Sequence, residues 1–175
     1  MFPVFSFGQE LSLKINSEYI FLSKSIYQEL ASKGQSDNLK WNLAQMEQYK
    51  SQIFDLNTFF YVKNNKGELD WKNHITIIDV STQSIELSND YAISVLKSIT
   101  NKLSIIEGNN LLQRDSGIDN IDGYKYMFWK FVAKVKWEES PKYFMGCIIK
   151  YKTETFNINI NSDDNITLEN LITLQ

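Results

Sequence analysis

The stretch that decides the fold of this chain is YKYMFWKFVAKVKW, at positions 124–137. Large apolar side chains recur in it at every second position. This period of two is typical of a β-strand, whose successive side chains point to opposite faces of a sheet. The residues that share the predicted buried face are Met127, Trp129, Phe131, Ala133, Val135 and Trp137. We therefore predict one long strand over 124–137.

Two further strands are predicted to follow in an antiparallel meander. The segment EESPK at 138–142 predicts a loop that leads into a return strand over 143–151 and then a third strand over 156–160. The inward residues of the return strand would be Tyr143, Met145, Cys147, Ile149 and Tyr151. A slip of one residue would mix the two faces, so one register is favoured. Its pairs are Trp137 with Tyr143, Phe131 with Ile149 and Trp129 with Tyr151.

Earlier strands are marked by alternation and by turn residues. Leucine and isoleucine alternate with polar residues over 10–15, as in a half-buried strand. Two β-branched and aromatic runs at 58–62 and 75–80 are separated by NNKG at 64–67, which is a strong turn signal. We predict that these two runs form a hairpin or two sequential strands.

Three helices are predicted from caps and apolar spacing. Ser23 would cap a short first helix, and Ser36 or Asp37 a second. Ser88 would cap a third, whose apolar stripe is Tyr91, Ala92, Val95, Leu96, Ile99 and Leu103. The predicted fold class is therefore α+β, an antiparallel β-sheet with helices packed on it.

Composition limits the class of protein. The 175 residues suit one domain, which we predict over 10–175. The net charge is −3, and Arg114 is the single arginine. Arginine is the preferred residue for gripping phosphate and reading guanine, so a nucleic-acid partner is not expected. No run of about twenty apolar residues predicts a transmembrane segment.

The first nine residues allow two interpretations. They are apolar and end in the small-x-small pattern Ser6-Phe7-Gly8, as the end of a signal peptide does, with cleavage after Gly8. On this interpretation the protein is exported, to the periplasm or the medium. The alternative is a short N-terminal strand with Phe5 and Phe7 in the core, and a cytoplasmic protein.

The order of elements carries a family resemblance. A strand at 75–80 leads to a helix over 90–103, a linking strand, the apolar-Asp-Gly turn at 121–123 and then three strands. With LSLKIN at 11–16 followed by Tyr19, this order resembles the PsbP-like fold, shared by the extrinsic photosystem II protein, the Ran-binding nuclear import factor and small exported bacterial proteins. The resemblance implies an α/β/α layered domain, usually without enzymatic activity, acting as an accessory or binding protein.

Catalytic and metal-binding candidates are few. His74 is the only histidine and no Gly-x-Ser-x-Gly motif is present, so we interpret His74 as an ordinary strand-end residue. Cys147 falls among apolar residues and is predicted to be an inert core residue. Asp115, Asp119 and Asp122 have calcium-binding chemistry, but their spacing suits turns better. No metal and no cofactor is predicted.

The predicted register isolates one surface feature. It places Lys130 opposite Lys150, Phe128 opposite Lys152 and Lys134 opposite Gly146. Like charges that face each other destabilise a sheet unless they are solvated or an anion lies between them. These lysines therefore have two interpretations. The first is a stripe of solvated side chains. The second is a site for an acidic partner or an anionic ligand, predicted at Lys130, Lys134, Lys150 and Lys152 and flanked by Phe128 and Phe144.

These observations favour a non-catalytic, exported binding or accessory protein that acts through protein–protein or small-ligand contacts. One alternative is an immunity protein that neutralises a toxin by masking its active site. A carboxylate-based hydrolase is a further alternative, although no acid/base pair stands out. Homo-oligomeric packing is the remaining class.

Overall fold

The computed structural model describes residues 13–32, 37–104, 110–134, 136, 139–165 and 167–174. The strands among them are β1 (Leu13–Ile15), β2 (Tyr19–Phe21), β3 (Thr58–Asn65), β4 (Glu68–Asp79), β5 (Asn110–Ile121), β6 (Tyr124–Lys134), β7 (Lys142–Tyr151), β8 (Glu154–Ser162) and β9 (Ile172–Leu174). Seven of them form one antiparallel sheet in the order β2-β3-β4-β8-β7-β6-β5, and β1 pairs with β9 in a separate ribbon. The predicted α+β class with an antiparallel sheet is confirmed.

The helices are α1 (Lys24–Ser32), α2 (Asp37–Gln48), α3 (Lys50–Ile53), α4 (Asn89–Ser104) and α5 (Leu168–Leu171). Two of the predicted caps are confirmed. The Ser23 hydroxyl accepts a hydrogen bond from the Ile26 amide at 3.3 Å, and the Ser88 hydroxyl accepts one from the Tyr91 amide at 3.2 Å. Each bond satisfies an N–H group that the first turn of the helix would otherwise leave without a partner.

Two tight turns join the hairpins. In the β3–β4 turn, Lys66 and Gly67 both have positive φ, and the Asn64 side chain accepts a hydrogen bond from the Gly67 amide. In the β5–β6 turn, Asp122 and Gly123 both have positive φ. Two consecutive residues with positive φ match the right-handed twist of the flanking strands. The NNKG turn signal and the apolar-Asp-Gly turn are thus both confirmed as hairpin turns.

The sheet is covered on both faces. On the face that we call the helical face, α1–α3 lie over one end, and their buried cluster with β3 and β4 is Leu22, Met46, Ile53, Phe60, Val62 and Trp71. At the other end α4 packs on β5 and β6, and the buried cluster there is Ala92, Leu96, Met127, Trp129, Phe131, Ala133 and Ile148. The predicted burial of Trp129 and Phe131 under the third helix is confirmed.

The opposite face, which we call the ribbon face, is covered by the β1–β9 ribbon and the one-turn helix α5. Its core includes Ile75, Ile77, Tyr126, Cys147, Ile149, Phe156, Ile158, Leu168, Leu171 and Ile172. Segments far apart in sequence therefore meet here, because β1 comes from the start of the described chain and α5 with β9 from its end. Cys147 is buried, as predicted.

The predicted register of β6 and β7 was wrong. Lys130 lies opposite Met145, Phe131 opposite Phe144 and Trp129 opposite Gly146. The Trp129 side of β6 and the Cys147 side of β7 are consequently on opposite faces of the sheet. The prediction assumed that only one face needs apolar residues, whereas both faces of these strands are covered. Apolar continuity therefore does not select a register here.

Two other predictions concern residues beyond the described part of the chain. Residues 1–9, interpreted as a signal-peptide remnant or an N-terminal strand, lie outside it, as do Val135 and Trp137. Among the residues that are described, no helix is both long enough and apolar enough to cross a membrane.

Candidate binding groove on the ribbon face

The six predicted site residues do not form one surface. Phe128, Lys130 and Lys134 alternate along β6 on the ribbon face, because Lys130 lies opposite Met145. The other three lie elsewhere. Phe144 and Lys150 are on the helical face and Lys152 is in the β7–β8 turn, where its φ is positive. The lysine stripe is therefore a consequence of the wrong register.

Lys130 has an acidic neighbour rather than a facing lysine. Its Nζ lies 3.3 Å from Oδ2 of Asp115, which is directly opposite it on β5, and 5.5 Å from the centre of the Phe128 ring. Both side chains of the ion pair are about half exposed, so the pair stabilises the fold only slightly. Because Lys130 pairs with Asp115 and does not face Lys150, there is no longer a reason to expect an anion between two lysines.

Lys130 and Phe128 instead line a groove of about 270 Å³ between β6 and the segment that leads into α5. Its lining residues are Asp119, Tyr126, Phe128, Lys130, Met145, Asn165, Thr167, Leu168 and Glu169. A smaller cavity of about 80 Å³ shares Lys130, Met145 and Asn165 with it and extends to Val132 and Tyr143. We call the two together the ribbon groove.

The ribbon groove has an apolar floor. Phe128 and Met145 are only half-buried, and the Phe128 ring lies 6.1 Å from that of Tyr126. The four-residue helix α5 contacts Tyr126 through Glu169, whereas Phe128 is only partly buried beside the segment that leads into α5. Apolar side chains at the bottom of a concave surface, with a few polar groups at its rim, are typical of binding sites.

The rim of the groove is acidic on balance. Asp119 and Glu169 line it and Asp115 stands beside Lys130, which is the one cation among the described lining residues. A neighbouring hollow of about 300 Å³ shares Glu169 and adds Asp122. Electrostatic complementarity therefore favours a cationic or hydrogen-bonding group over an anionic one.

Tyr126 fixes the position of one of these carboxylates. Its hydroxyl donates a hydrogen bond to Oε1 of Glu169 at 3.2 Å. Burial raises the pKa of Tyr126, and the nearby charges of Glu169 and Asp119 raise it further. The hydroxyl thus stays protonated as a donor and holds α5 against β6.

The single cysteine does not open into the groove. Cys147 lies beneath the floor, and burial raises the pKa of its thiol well above the usual range, which keeps it in the unreactive thiol form. Among the described residues, no group of three or more His, Cys, Asp or Glu side chains is arranged to hold a metal ion. Asp115, one of the three aspartates considered for calcium, pairs with Lys130.

His74 does not lie at a strand end as predicted. It sits inside β4, after three residues that bulge out between its pairing with Val62 and the pairing of Asp70 with Lys63. Its Nδ1 is 3.0 Å from the Trp71 carbonyl oxygen and its Nε2 is 2.5 Å from the side-chain nitrogen of Asn161. A neutral imidazole satisfies both contacts by donating from Nδ1 and accepting at Nε2.

A second polar cluster lies near His74 and was not predicted. Lys142 is buried and forms an ion pair with Asp163, which also accepts a hydrogen bond from the Asn73 side chain at 2.9 Å. Partial burial opposes ionisation of Asp163, but the hydrogen bonds from Lys142 and Asn73 outweigh it, so the pKa of Asp163 is lowered. This cluster ties the bulge of β4 to the start of β7 and the end of β8 and has a structural role.

Comparison with known proteins gives no match from which a function for this site could be inferred. No protein-family model matches the chain, and no match to a curated protein was found. The resemblance to PsbP-like proteins therefore stays a prediction, and the function has to be argued from the ribbon groove.

Proposed function

We propose that this chain is a non-catalytic binding protein whose partner is another protein, held at the ribbon groove. The observation that carries the proposal is the half-buried Phe128 beside Met145, an aromatic and a methionine at the bottom of a concave surface. Aromatic side chains and methionine are enriched in protein interfaces, and a central buried aromatic often contributes most of the binding energy.

The charge of the rim refines the kind of partner. The anionic partner expected from the lysine stripe is replaced by a partner with a basic surface, since Asp115, Asp119 and Glu169 outnumber Lys130. This acidic rim also favours a second candidate, an immunity protein that masks the basic active site of a toxin. Both candidates use the same groove and differ in the identity of the partner.

Export and family membership are part of the proposal as predictions. The extracytoplasmic location depends on residues 1–9, and the PsbP-like family on the order of elements. The buried, unreactive Cys147 is compatible with an oxidising compartment as well as a reducing one.

Quantitative affinity capture from the source cells tests the proposal. Phe128→Ala removes the floor of the groove, and Tyr91→Ala is the matched control, because Tyr91 is an exposed aromatic on α4, on the opposite side of the sheet. We expect one protein to be captured by the wild type and by Tyr91→Ala, and to be depleted at least about tenfold with Phe128→Ala, as for a central interface aromatic. Equal capture by both variants would remove the groove from consideration.

A further inference from the structure

The ribbon groove borders on a long strand with an open edge. β5 is 12 residues long and, among the described strands, it pairs only with β6. The other edge of the sheet is β2, which has 3 residues. An edge strand presents unpaired N–H and C=O groups at every second residue, and these groups are a template for another strand.

Three large apolar side chains of β5 are exposed to solvent. Leu111 is 39% exposed, Leu112 58% and Ile118 37%. A bulge interrupts the β5–β6 ladder between Leu111 and Gln113, but the ladder is regular from Gln113 to Ile121. Proteins usually protect such edges with shortness, bulges or charge, and this regular section carries Asp115 and Asp119 on the ribbon face and Arg114 on the helical face.

Gly117 marks the centre of the regular section. A Cβ at this position would lie 3.4 Å from the Phe128 ring and 3.9 Å from Oδ1 of Asn89, so the glycine lets the Phe128 ring lie close to the β5 backbone. A glycine inside a strand often marks a place where another chain approaches closely. Because the Phe128 ring already lies against Gly117, a large side chain from an added strand would contact the edge of this ring.

Acidic residues flank this glycine on the same face. Asp115 and Asp119 lie two positions to either side of it, opposite Lys130 and Tyr126 of β6. Residues of an added strand that face them across the ladder would be directly opposite, where unlike charges stabilise the pairing. On the other face the exposed Ile118 favours an apolar neighbour.

We propose that the partner adds an extended segment to the open edge of β5, with the alternating pattern basic–x–aromatic–x–basic. The aromatic residue lies over Gly117 against Phe128, the basic residues face Asp115 and Asp119, and the intervening residues are apolar. This inference rests on the proposed function and specifies the partner's chemistry. Backbone hydrogen bonds provide affinity, and the alternate side chains provide specificity, as in other strand-addition complexes.

A capped synthetic peptide of sequence TKVFVKT tests the pattern directly. The sequence is a palindrome, so it offers the same side chains in a parallel or an antiparallel orientation. On titration into isotopically labelled protein, we expect amide shift changes confined to β5, β6 and the groove residues. Replacement of both peptide lysines by glutamate should abolish these changes.

The acidic residues are tested on the protein side. Asp115→Asn combined with Asp119→Asn should weaken binding of TKVFVKT about tenfold, which corresponds to two exposed ion pairs. Asp55→Asn combined with Glu68→Gln is the matched control, with equal charge change outside the groove and the β5 edge, and should bind as the wild type does. Equal weakening in both double variants would mean a non-specific charge effect and would overturn the assignment of Asp115 and Asp119.

Backbone methylation separates strand addition from binding in the groove alone. Only alternate residues of an added strand direct their N–H groups towards β5. Two versions of TKVFVKT, N-methylated at odd or at even positions, should therefore differ: one loses binding and the other retains it. Equal behaviour of the two versions would overturn strand addition.

The outcomes also separate this inference from the proposed function. If no version of TKVFVKT binds at millimolar concentration, while capture of a cellular partner still depends on Phe128, the segment inference fails and the groove proposal stands. If capture does not depend on Phe128, the groove proposal fails, whatever the peptide does.

Discussion

The two faces of β6 are built from the same strand with the same alternation, yet they have different properties. On the helical face, Phe131 stacks on Phe144 with ring centres 4.8 Å apart, and the Trp129 indole lies over Gly146 beneath α4. On the ribbon face, Phe128 is half-buried and Lys130 is exposed. The difference comes from the covering layer, since α4 has 16 residues and α5 has 4.

This comparison suggests how the chain obtains a binding surface. Both alternate sets of β6 side chains contain large apolar residues, so the strand itself does not decide how fully each set is buried. The length of the element packed on each face decides it. Next to the N-terminal end of the short α5, apolar side chains of the kind found in a core lie at the bottom of a groove.

Truncating one aromatic on each face should give the largest difference. Phe131→Ala should cost about 3–5 kcal/mol of unfolding free energy, since it leaves a cavity in a closed core. Phe128→Ala should cost less, about 1–2 kcal/mol, because part of the Phe128 side chain is already exposed to water. Chemical denaturation of the two variants measures both, and similar losses would contradict the distinction between core and groove.

Glycine substitutions should give a smaller difference of the same kind. A Cβ at Gly146 would lie 2.3 Å from the Trp129 ring, so Gly146→Ala must displace that ring and should cost about 1–3 kcal/mol. At Gly117 the nearest ring atom is 3.4 Å away, and Gly117→Ala should change stability by less than about 1 kcal/mol. Thermal denaturation of both variants tests this order, and equally small losses would mean that Trp129 moves aside freely.

The smallest effect is expected from pH at the polar middle of the helical face. Burial lowers the pKa of His74 and the Lys142 charge lowers it further, against the hydrogen bond to Trp71 that raises it. The unfolded state therefore binds the proton more readily than the folded state. The stabilisation that comes from keeping His74 neutral is complete at pH values above the pKa of the unfolded state, near 6.5. It is lost as the pH falls below that pKa.

His74→Gln should make stability less dependent on pH between about 7 and about 5. The measurement is the slope of unfolding free energy against pH, compared with the wild type. Asp163 does not affect the slope in this pH range. Because its pKa is lowered, the stabilisation that it contributes is lost only at more acidic pH. An unchanged slope would mean that His74 takes up its proton equally in the folded and unfolded states.

Local signals in the sequence predicted the local elements well. The caps at Ser23 and Ser88, the stripe of α4 and the turns at 64–67 and 121–123 all depend on neighbouring residues, and they agree with the structure except at Tyr91, which was predicted in the stripe but is exposed. The alternation along β6 likewise identified the side that packs under α4, since Trp129 and Phe131 are buried there.

The register and the groove could not be predicted in the same way. The pairing of β6 with β7 depends on the path of the chain between them. The prediction relied on keeping one face apolar, but β7 has apolar residues on both faces, so this criterion could not select the register. The groove joins β6 to α5, which lies more than thirty residues later in the chain, and no periodicity relates the two. The position of His74 similarly depends on a bulge that the sequence does not signal.

The central claim is that the ribbon face of β6 binds a partner while the helical face does not. Cys147 is buried, so Phe128→Cys and Tyr91→Cys can each be labelled selectively with a bulky maleimide. The decisive measurement is the amount of partner captured from source cells by each labelled protein relative to its unlabelled form. We predict that labelling Phe128→Cys abolishes capture and that labelling Tyr91→Cys leaves it unchanged; undiminished capture by labelled Phe128→Cys would contradict the claim.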